Sequence, residues 1–238
     1  MEWGAIFDRR GKELHRGLEA GARGWRDDYH LGRADERLRR PPLGADDLLG
    51  FVRPERLAQL NASLARTPYG GLCVACPYTP ALPDPSPSGA RGFASFVVDT
   101  LLPTVRRELG LAAQRSMTGI DGVSLGGRLA LLVGLSHPEA FGAVGALQPA
   151  VHQDEAEWLT ELAAQAQTRA ELRLRLVTSE GDYFRPAVEL LSAKMRDKGV
   201  RHELLVTPGP HDYVYNRGPG SFEMLLWHDR VLRGLPPP

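Results

Sequence analysis

The chain has 238 residues, of which 42% are hydrophobic and 24% charged, and its 29 basic and 29 acidic side chains cancel to a formal net charge of zero. That length and apolar share suit one large globular domain, while the balanced charge provides no field to hold a polyanion and excludes nucleic acid as the expected partner. Two cysteines cannot build a disulfide framework, no apolar run approaches the roughly 18 residues of a membrane span, and the opening Met-Glu-Trp-Gly-Ala-Ile-Phe-Asp-Arg-Arg lacks the apolar stretch of a secretory signal, so a soluble, cytoplasmic protein with no membrane partner is expected.

Residues 1–40 form an N-terminal segment of undecided structure. Between 8 and 40 it is rich in Arg, Gly, Asp and Glu without a clean period, a pattern compatible with edge strands and equally with an extension. Residues 41–238 read as one domain. Leu57, Leu60 and Leu64 recur at helical spacing and predict a helix over 54–64. Residues 71–76 are a short, nearly all-apolar run of the kind a doubly buried strand needs. Prolines at 77, 80, 83, 85 and 87 make 77–92 a loop, and a loop of that length in a compact domain suits either an active-site rim or a surface detour. A helix follows over 92–109, with Phe93, Phe96, Val97 and Leu101 on one stripe, and Pro103 is expected to kink or end it.

A weak strand over 116–121 leads into a helix over 125–136 that is apolar nearly all round and therefore buried. Strands are then predicted at 141–147, 172–177 and 202–206. They alternate with helices over 154–170, carrying Trp158 and Leu162, and over a stretch opening at Pro186, carrying Val188, Leu191 and Met195. Ser221 is the expected N-cap of a last helix, 222–232. Five strands from residue 71 onward, alternating with helices, give an α/β fold: a mostly parallel sheet with helices on both faces.

The chemistry concentrates at Gly122-Val-Ser-Leu-Gly126, followed by Gly127. The string sits between a predicted strand and a buried helix, the setting of a nucleophile elbow, in which small neighbours permit the tight turn that carries the serine. The helix start at Leu125 then aims a free backbone N–H and the positive end of the helix dipole at a developing oxyanion. A serine hydroxyl needs a base, and the base needs an orienting carboxylate. Enzymes with this turn place them in chain order serine, acid, histidine, after later strands. Asp182, in Thr178-Ser-Glu-Gly-Asp-Tyr-Phe, and His211, in Thr207-Pro-Gly-Pro-His-Asp, meet that requirement at the same sheet edge as Ser124. Glu180 and Asp212 compete for the acid. His137 and His152 compete for the base but break the order.

With these residues in view the chain resembles the α/β-hydrolase superfamily, in its putative-esterase branch of enterochelin-esterase-like, feruloyl-esterase-like and S-formylglutathione-hydrolase-like enzymes. The resemblance covers about residues 69–234 and rests on Gly122-Val-Ser-Leu-Gly-Gly, Ser136-His-Pro-Glu-Ala-Phe-Gly-Ala-Val, Glu180-Gly-Asp and Pro208-Gly-Pro-His-Asp-Tyr. It implies the α/β-hydrolase fold and cleavage of a small-molecule carboxylic ester or thioester through an acyl-enzyme on Ser124. It assigns general base to His211 and orienter to Asp182, and calls for no metal or organic cofactor. The branch also carries an apolar strand ending in His-Gly before the helix placed at 54–64, whose loop supplies a second oxyanion N–H. Residues 1–70 contain no His-Gly, and Gly44 and Gly50 are the candidates for a rearranged loop. That departure keeps a non-catalytic binding protein as an alternative, and an acyltransferase would use the same three residues.

Other signals are weaker. Cys73-Val-Ala-Cys76 lies along an apolar strand rather than at a helix start and reads as core, without the second ligand pair a zinc site requires. No phosphate-loop or dinucleotide fingerprint occurs. Tyr78, Tyr213 and Arg217 are candidate pocket walls, with Arg217 suited to a substrate carboxylate, although Asn216-Arg217-Gly-Pro-Gly220 reads first as the turn before the last helix.

Overall fold

The computed structural model describes the backbone of residues 4–8, together with residues 36–77, 87–111 and 113–238. Six strands form one sheet: β1 (Gly4–Asp8), β2 (Cys73–Ala75), β3 (Thr118–Gly122), β4 (Ala143–Leu147), β5 (Arg173–Gly181) and β6 (Glu203–Pro210), in spatial order β2-β1-β3-β4-β5-β6. All five strands expected from residue 71 onward are present, and β3 through β6 run parallel. β1 is the addition. It lies between β2 and β3, antiparallel to both, with Gly4 opposite Gly122 and Asp8 opposite Thr118.

The helices are α1 (Pro54–Arg66), α2 (Pro87–Ser95), α3 (Leu102–Leu109), α4 (Leu125–Ser136), α5 (Ala156–Arg169), α6 (Arg185–Asp197) and α7 (Ser221–Leu232). Three expectations are corrected. Pro87 starts α2, so the stretch expected to be loop up to residue 92 is already helical at 87, a proline being well suited to a first helical turn. Pro103 does not end the helix, which continues to Leu109 and a left-handed Gly110. A wide π-turn over Phe96–Leu101 precedes it, and the Leu102 N–H reaches back five residues to the Val97 carbonyl. That turn shifts the carbonyl the proline ring would otherwise strike, and Pro103 falls in the first turn of α3.

Ser221 is likewise not a cap. Its backbone is already helical, and its Oγ donates to the Asn216 carbonyl at 2.6 Å. The cap lies earlier, at Asp212, whose Oδ1 accepts the Tyr215 N–H at 2.8 Å and opens the short helix Tyr213–Tyr215. A π-turn over Asn216–Gly220 connects that helix to α7.

Strand alternation divides the core in two. Ile120, Val144, Ala146, Leu174 and Leu176 face a cluster built with α4, α5 and α6, including Leu129, Leu132, Leu159, Leu191 and Met195. Ala143, Leu147 and Val177 face a second cluster with α1 and α7, including Leu60, Leu64, Phe222, Leu226 and Trp227. Among the described residues no helix is long and apolar enough to cross a membrane.

The second face also carries a polar row that is buried at Asp121 and Arg175 and opens toward solvent at Glu203. Gly145 pairs with Arg175 and Arg175 with Glu203 across β4, β5 and β6. Helix α7 lays Glu223, Trp227 and His228 over this row, with Asp121 of β3 at one end. Arg175 donates to Glu223 Oε2 at 2.7 Å and to its carbonyl at 3.0 Å, and Arg56 of α1 reaches Glu223 Oε1 at 2.8 Å. His228 Nε2 lies 3.1 Å from Asp121 Oδ2, while Asp121 Oδ1 accepts the Gly122 N–H at 2.7 Å. Gly145 makes room: a Cβ there would collide with the Asp121 carboxylate.

Candidate active site

Parallel strands end at one edge of the sheet, and the chain leaving β3, β5 and β6 delivers Ser124, Asp182 and His211 to it. Ser124 holds φ 55° and ψ −118°, a conformation that few non-glycine residues adopt. Three backbone bonds pin this turn. The Ser124 N–H donates to the Leu147 carbonyl at 3.0 Å, and the Ser124 carbonyl accepts from Arg128 N at 3.0 Å and Ala150 N at 2.9 Å. The turn also requires close packing against α4, since a Cβ on Gly127 would come within 2.8 Å of the Gly122 carbonyl. Arg128 is buried and grips Glu155 with both terminal nitrogens, fastening α4 to the segment after β4.

The three side chains converge in one line of hydrogen bonds. His211 Nε2 is 3.1 Å from Ser124 Oγ, and His211 Nδ1 is 2.7 Å from Asp182 Oδ1. Asp182 is acceptor-only when ionised, so Nδ1 carries the proton it receives, which leaves Nε2 free to accept from the serine hydroxyl. The carboxylate is held on every side: Oδ1 also accepts the Phe184 N–H at 3.0 Å, and Oδ2 accepts the Thr178 hydroxyl at 2.7 Å. The Asp182 side chain is 0% exposed and that of His211 is 7% exposed. Two rings shield the imidazole. Tyr183 stacks on it at 4.4 Å between centroids, and Phe184 meets it edge-on at 5.6 Å. Tyr183 itself is 69% exposed and forms the outer face of this collar.

The rivals are occupied elsewhere. Glu180 forms an exposed ion pair with Arg53, and Asp212 caps the short helix after His211. His137 pairs with Glu139 at 3.0 Å, and His152 sets its ring edge against Phe184 at 6.1 Å. Leu125 opens α4, so its N–H lies ahead of the intrahelical bonds and beside Ser124. Gly44 and Gly50 do not serve as a rearranged oxyanion loop: the Gly44 N–H is held by Asp47 Oδ2 at 2.7 Å and the Gly50 N–H by the Ala45 carbonyl at 2.9 Å. Arg217 lies over the Tyr213 ring at 4.3 Å, within the π-turn. Tyr78 lies outside the described residues. Cys73 is buried and Cys76 partly so.

Sequence reasoning missed Thr178, Gln148 and the Tyr183–Phe184 collar. The aromatic pair beside Asp182 was visible as residue types, but nothing in the chain pointed Thr178 back at the acid four residues on.

Comparison with known proteins agrees with this architecture. A family described as Putative esterase matches residues 74–215, more than half of the chain. A search of curated proteins finds no match. Among solved structures, the chain is similar to S-formylglutathione hydrolase (FrmB) from Staphylococcus aureus, at 14% identity and a TM-score of 0.55 over 72% of this chain and 76% of that one. It is similar to a ferulic acid esterase at 18% identity and a TM-score of 0.52, over 59% of this chain and 61% of that one. It is also similar to the enterobactin esterase FES from Shigella flexneri at 20% identity and a TM-score of 0.51, over 72% of this chain and 46% of that one. The chain thus spans about three fifths of the ferulic acid esterase and less than half of the Shigella enzyme, and at these identities the likeness is one of fold. Since the family match runs from β2 past the histidine loop, and the sheet and its helices follow the α/β-hydrolase fold, the chain belongs to the Putative esterase family.

Proposed function

We propose that this enzyme hydrolyses small-molecule carboxylic esters or thioesters through a covalent acyl-enzyme on Ser124. The observation that carries the reading is the unbroken relay from Ser124 Oγ to His211 Nε2 at 3.1 Å and from His211 Nδ1 to Asp182 at 2.7 Å. In the first half-reaction His211 Nε2 takes the hydroxyl proton as Ser124 Oγ bonds to the carbonyl carbon. The resulting oxyanion receives the Leu125 N–H at the positive end of α4. The imidazolium, stabilised by Asp182, then gives its proton to the leaving alkoxide or thiolate as the carbonyl re-forms and the alcohol or thiol departs. Water repeats the sequence: His211 accepts one of its protons, the hydroxide oxygen adds to the acyl carbon, and the proton returns to Ser124 Oγ as the acid is released.

The test is direct. The wild-type enzyme is expected to hydrolyse p-nitrophenyl acetate and to take a fluorophosphonate probe at one serine, and Ser124→Ala should abolish labelling and reduce turnover to the level of residual, triad-free catalysis. A folded enzyme that neither turns over activated esters nor takes the probe would favour the binding-protein alternative. Product analysis with added alcohols or amines separates hydrolysis from acyl transfer.

A further inference from the structure

The residue after β4 has an unusual conformation. Gln148 holds φ 45°, which a glycine would adopt without strain, yet the position carries a long amide side chain that is 0% exposed. Its backbone N–H is taken by the Val177 carbonyl at 2.6 Å. Its side-chain Nε2 donates twice, to Ser179 Oγ at 2.6 Å and to the Pro210 carbonyl at 3.0 Å. The amide orientation follows from its neighbours: Pro210 presents only a carbonyl, so the group facing it must be the NH2. The Gln148 Oε1 is buried without a hydrogen-bond partner among the described residues. A buried unsatisfied acceptor lowers stability, so the residue is not explained as a stabilising element.

Both acceptors belong to the site. Ser179 opens the turn that carries Asp182, whose N–H donates to the Ser179 carbonyl at 3.1 Å, and Pro210 immediately precedes His211. Leu147, one residue before Gln148, accepts the Ser124 N–H at 3.0 Å. Two consecutive residues of β4 and its exit therefore touch the segments bearing all three members of the relay. We infer that Gln148 is a positioning residue that sets the acid turn and the histidine loop against the serine turn, a role that rests on the proposed function of Ser124, Asp182 and His211. It touches no reacting atom. Its action is to fix the spacing from Asp182 through His211 to Ser124 by tying both later loops to the strand that anchors the first.

Two variants test this. Gln148→Gly removes the tie and relieves the backbone, whereas Gln148→Glu keeps the size but replaces the NH2 by an oxygen facing two oxygens. With p-nitrophenyl acetate, both are expected to lower kcat by about ten-fold to a hundred-fold with KM unchanged, the range that a small misplacement of reacting groups produces. Fluorophosphonate labelling should slow in parallel, and the glycine variant should melt no lower than wild type. Wild-type kcat and labelling rate in the folded glycine variant would overturn the inference while leaving the proposed triad intact. A loss of activity in that variant that merely follows a lowered melting temperature would also overturn it. A wild-type enzyme that neither hydrolyses the ester nor labels would instead remove the proposed triad, and the positioning role with it.

Discussion

Ser124 keeps its strained turn because its backbone N–H and carbonyl are bonded to β4 and to the chain just beyond it, and conformations of this kind cost on the order of 1–3 kcal/mol. The same economy governs Asp182, whose two oxygens accept three hydrogen bonds, so the carboxylate has little freedom to turn away from the imidazole. Asp182→Asn should therefore preserve the fold and disable the relay. An amide NH2 facing His211 moves the ring proton to Nε2, where it blocks acceptance from Ser124, and kcat for p-nitrophenyl acetate is expected to fall by on the order of 10⁴. A thermal melt recorded alongside the assay separates this from unfolding. Ser124, Asp182 and His211 were legible in the sequence because turn chemistry and strand ends are local signals. Gln148 and Thr178 were not, because their partners are chosen by strand register or by the curl of a turn.

Helix α7 and strand β5 illustrate where pattern reading fails. The Leu/Arg alternation of 172–177 suggests one wet face, yet Arg175 is buried against Glu223 and Trp227. Helix α7 buries ten of its twelve residues, among them Glu223, His228, Asp229 and Arg230. These polar and charged groups are tolerable only because each faces a partner. Burial alone would raise the Glu223 carboxyl, but the hydrogen bonds and charges of Arg56 and Arg175 outweigh it and hold the group below the usual carboxylate range. Removing the anion leaves Arg175 uncompensated beneath α7. Glu223→Ala is thus expected to cost on the order of 3–5 kcal/mol, the size measured when one partner of a buried pair is deleted. Urea unfolding monitored by Trp fluorescence would measure it. A sequence periodicity cannot anticipate such a row, since the pairing is made across four strands and two helices.

At the scale of the whole molecule, the five strands from β2 to β6 and their helices were readable because βα alternation is strongly periodic. The same folded unit carries a titration that its sequence conceals. His228 is fully buried, and burial chiefly holds its imidazole below the usual histidine range, partly offset by Asp121. The sign follows from which state binds the proton. The unfolded chain protonates His228 near its ordinary pKa of about 6.5, and the folded protein does so only at lower pH. This contribution to stability is complete above that value and declines as pH falls through it. Unfolding midpoints in urea should decrease between neutral pH and the carboxylate range. His228→Gln, which retains an N–H for Asp121, should flatten that decrease.

The interior placement of β1 bears on how the sheet is assembled. A strand made of residues 4–8 has neighbours at residues 73–75 and 118–122, so it must wait through most of the first half of the chain for either partner and longest for the one that carries the elbow. Contacts between such distant residues form slowly, because loop closure must be completed before any pairing energy is recovered. The parallel block β3–β6 is joined by short crossovers and needs no such delay. The seam between β1 and β3 therefore joins the most widely separated segments of this sheet, and a full chain refolding from denaturant is expected to close it after the parallel block has formed.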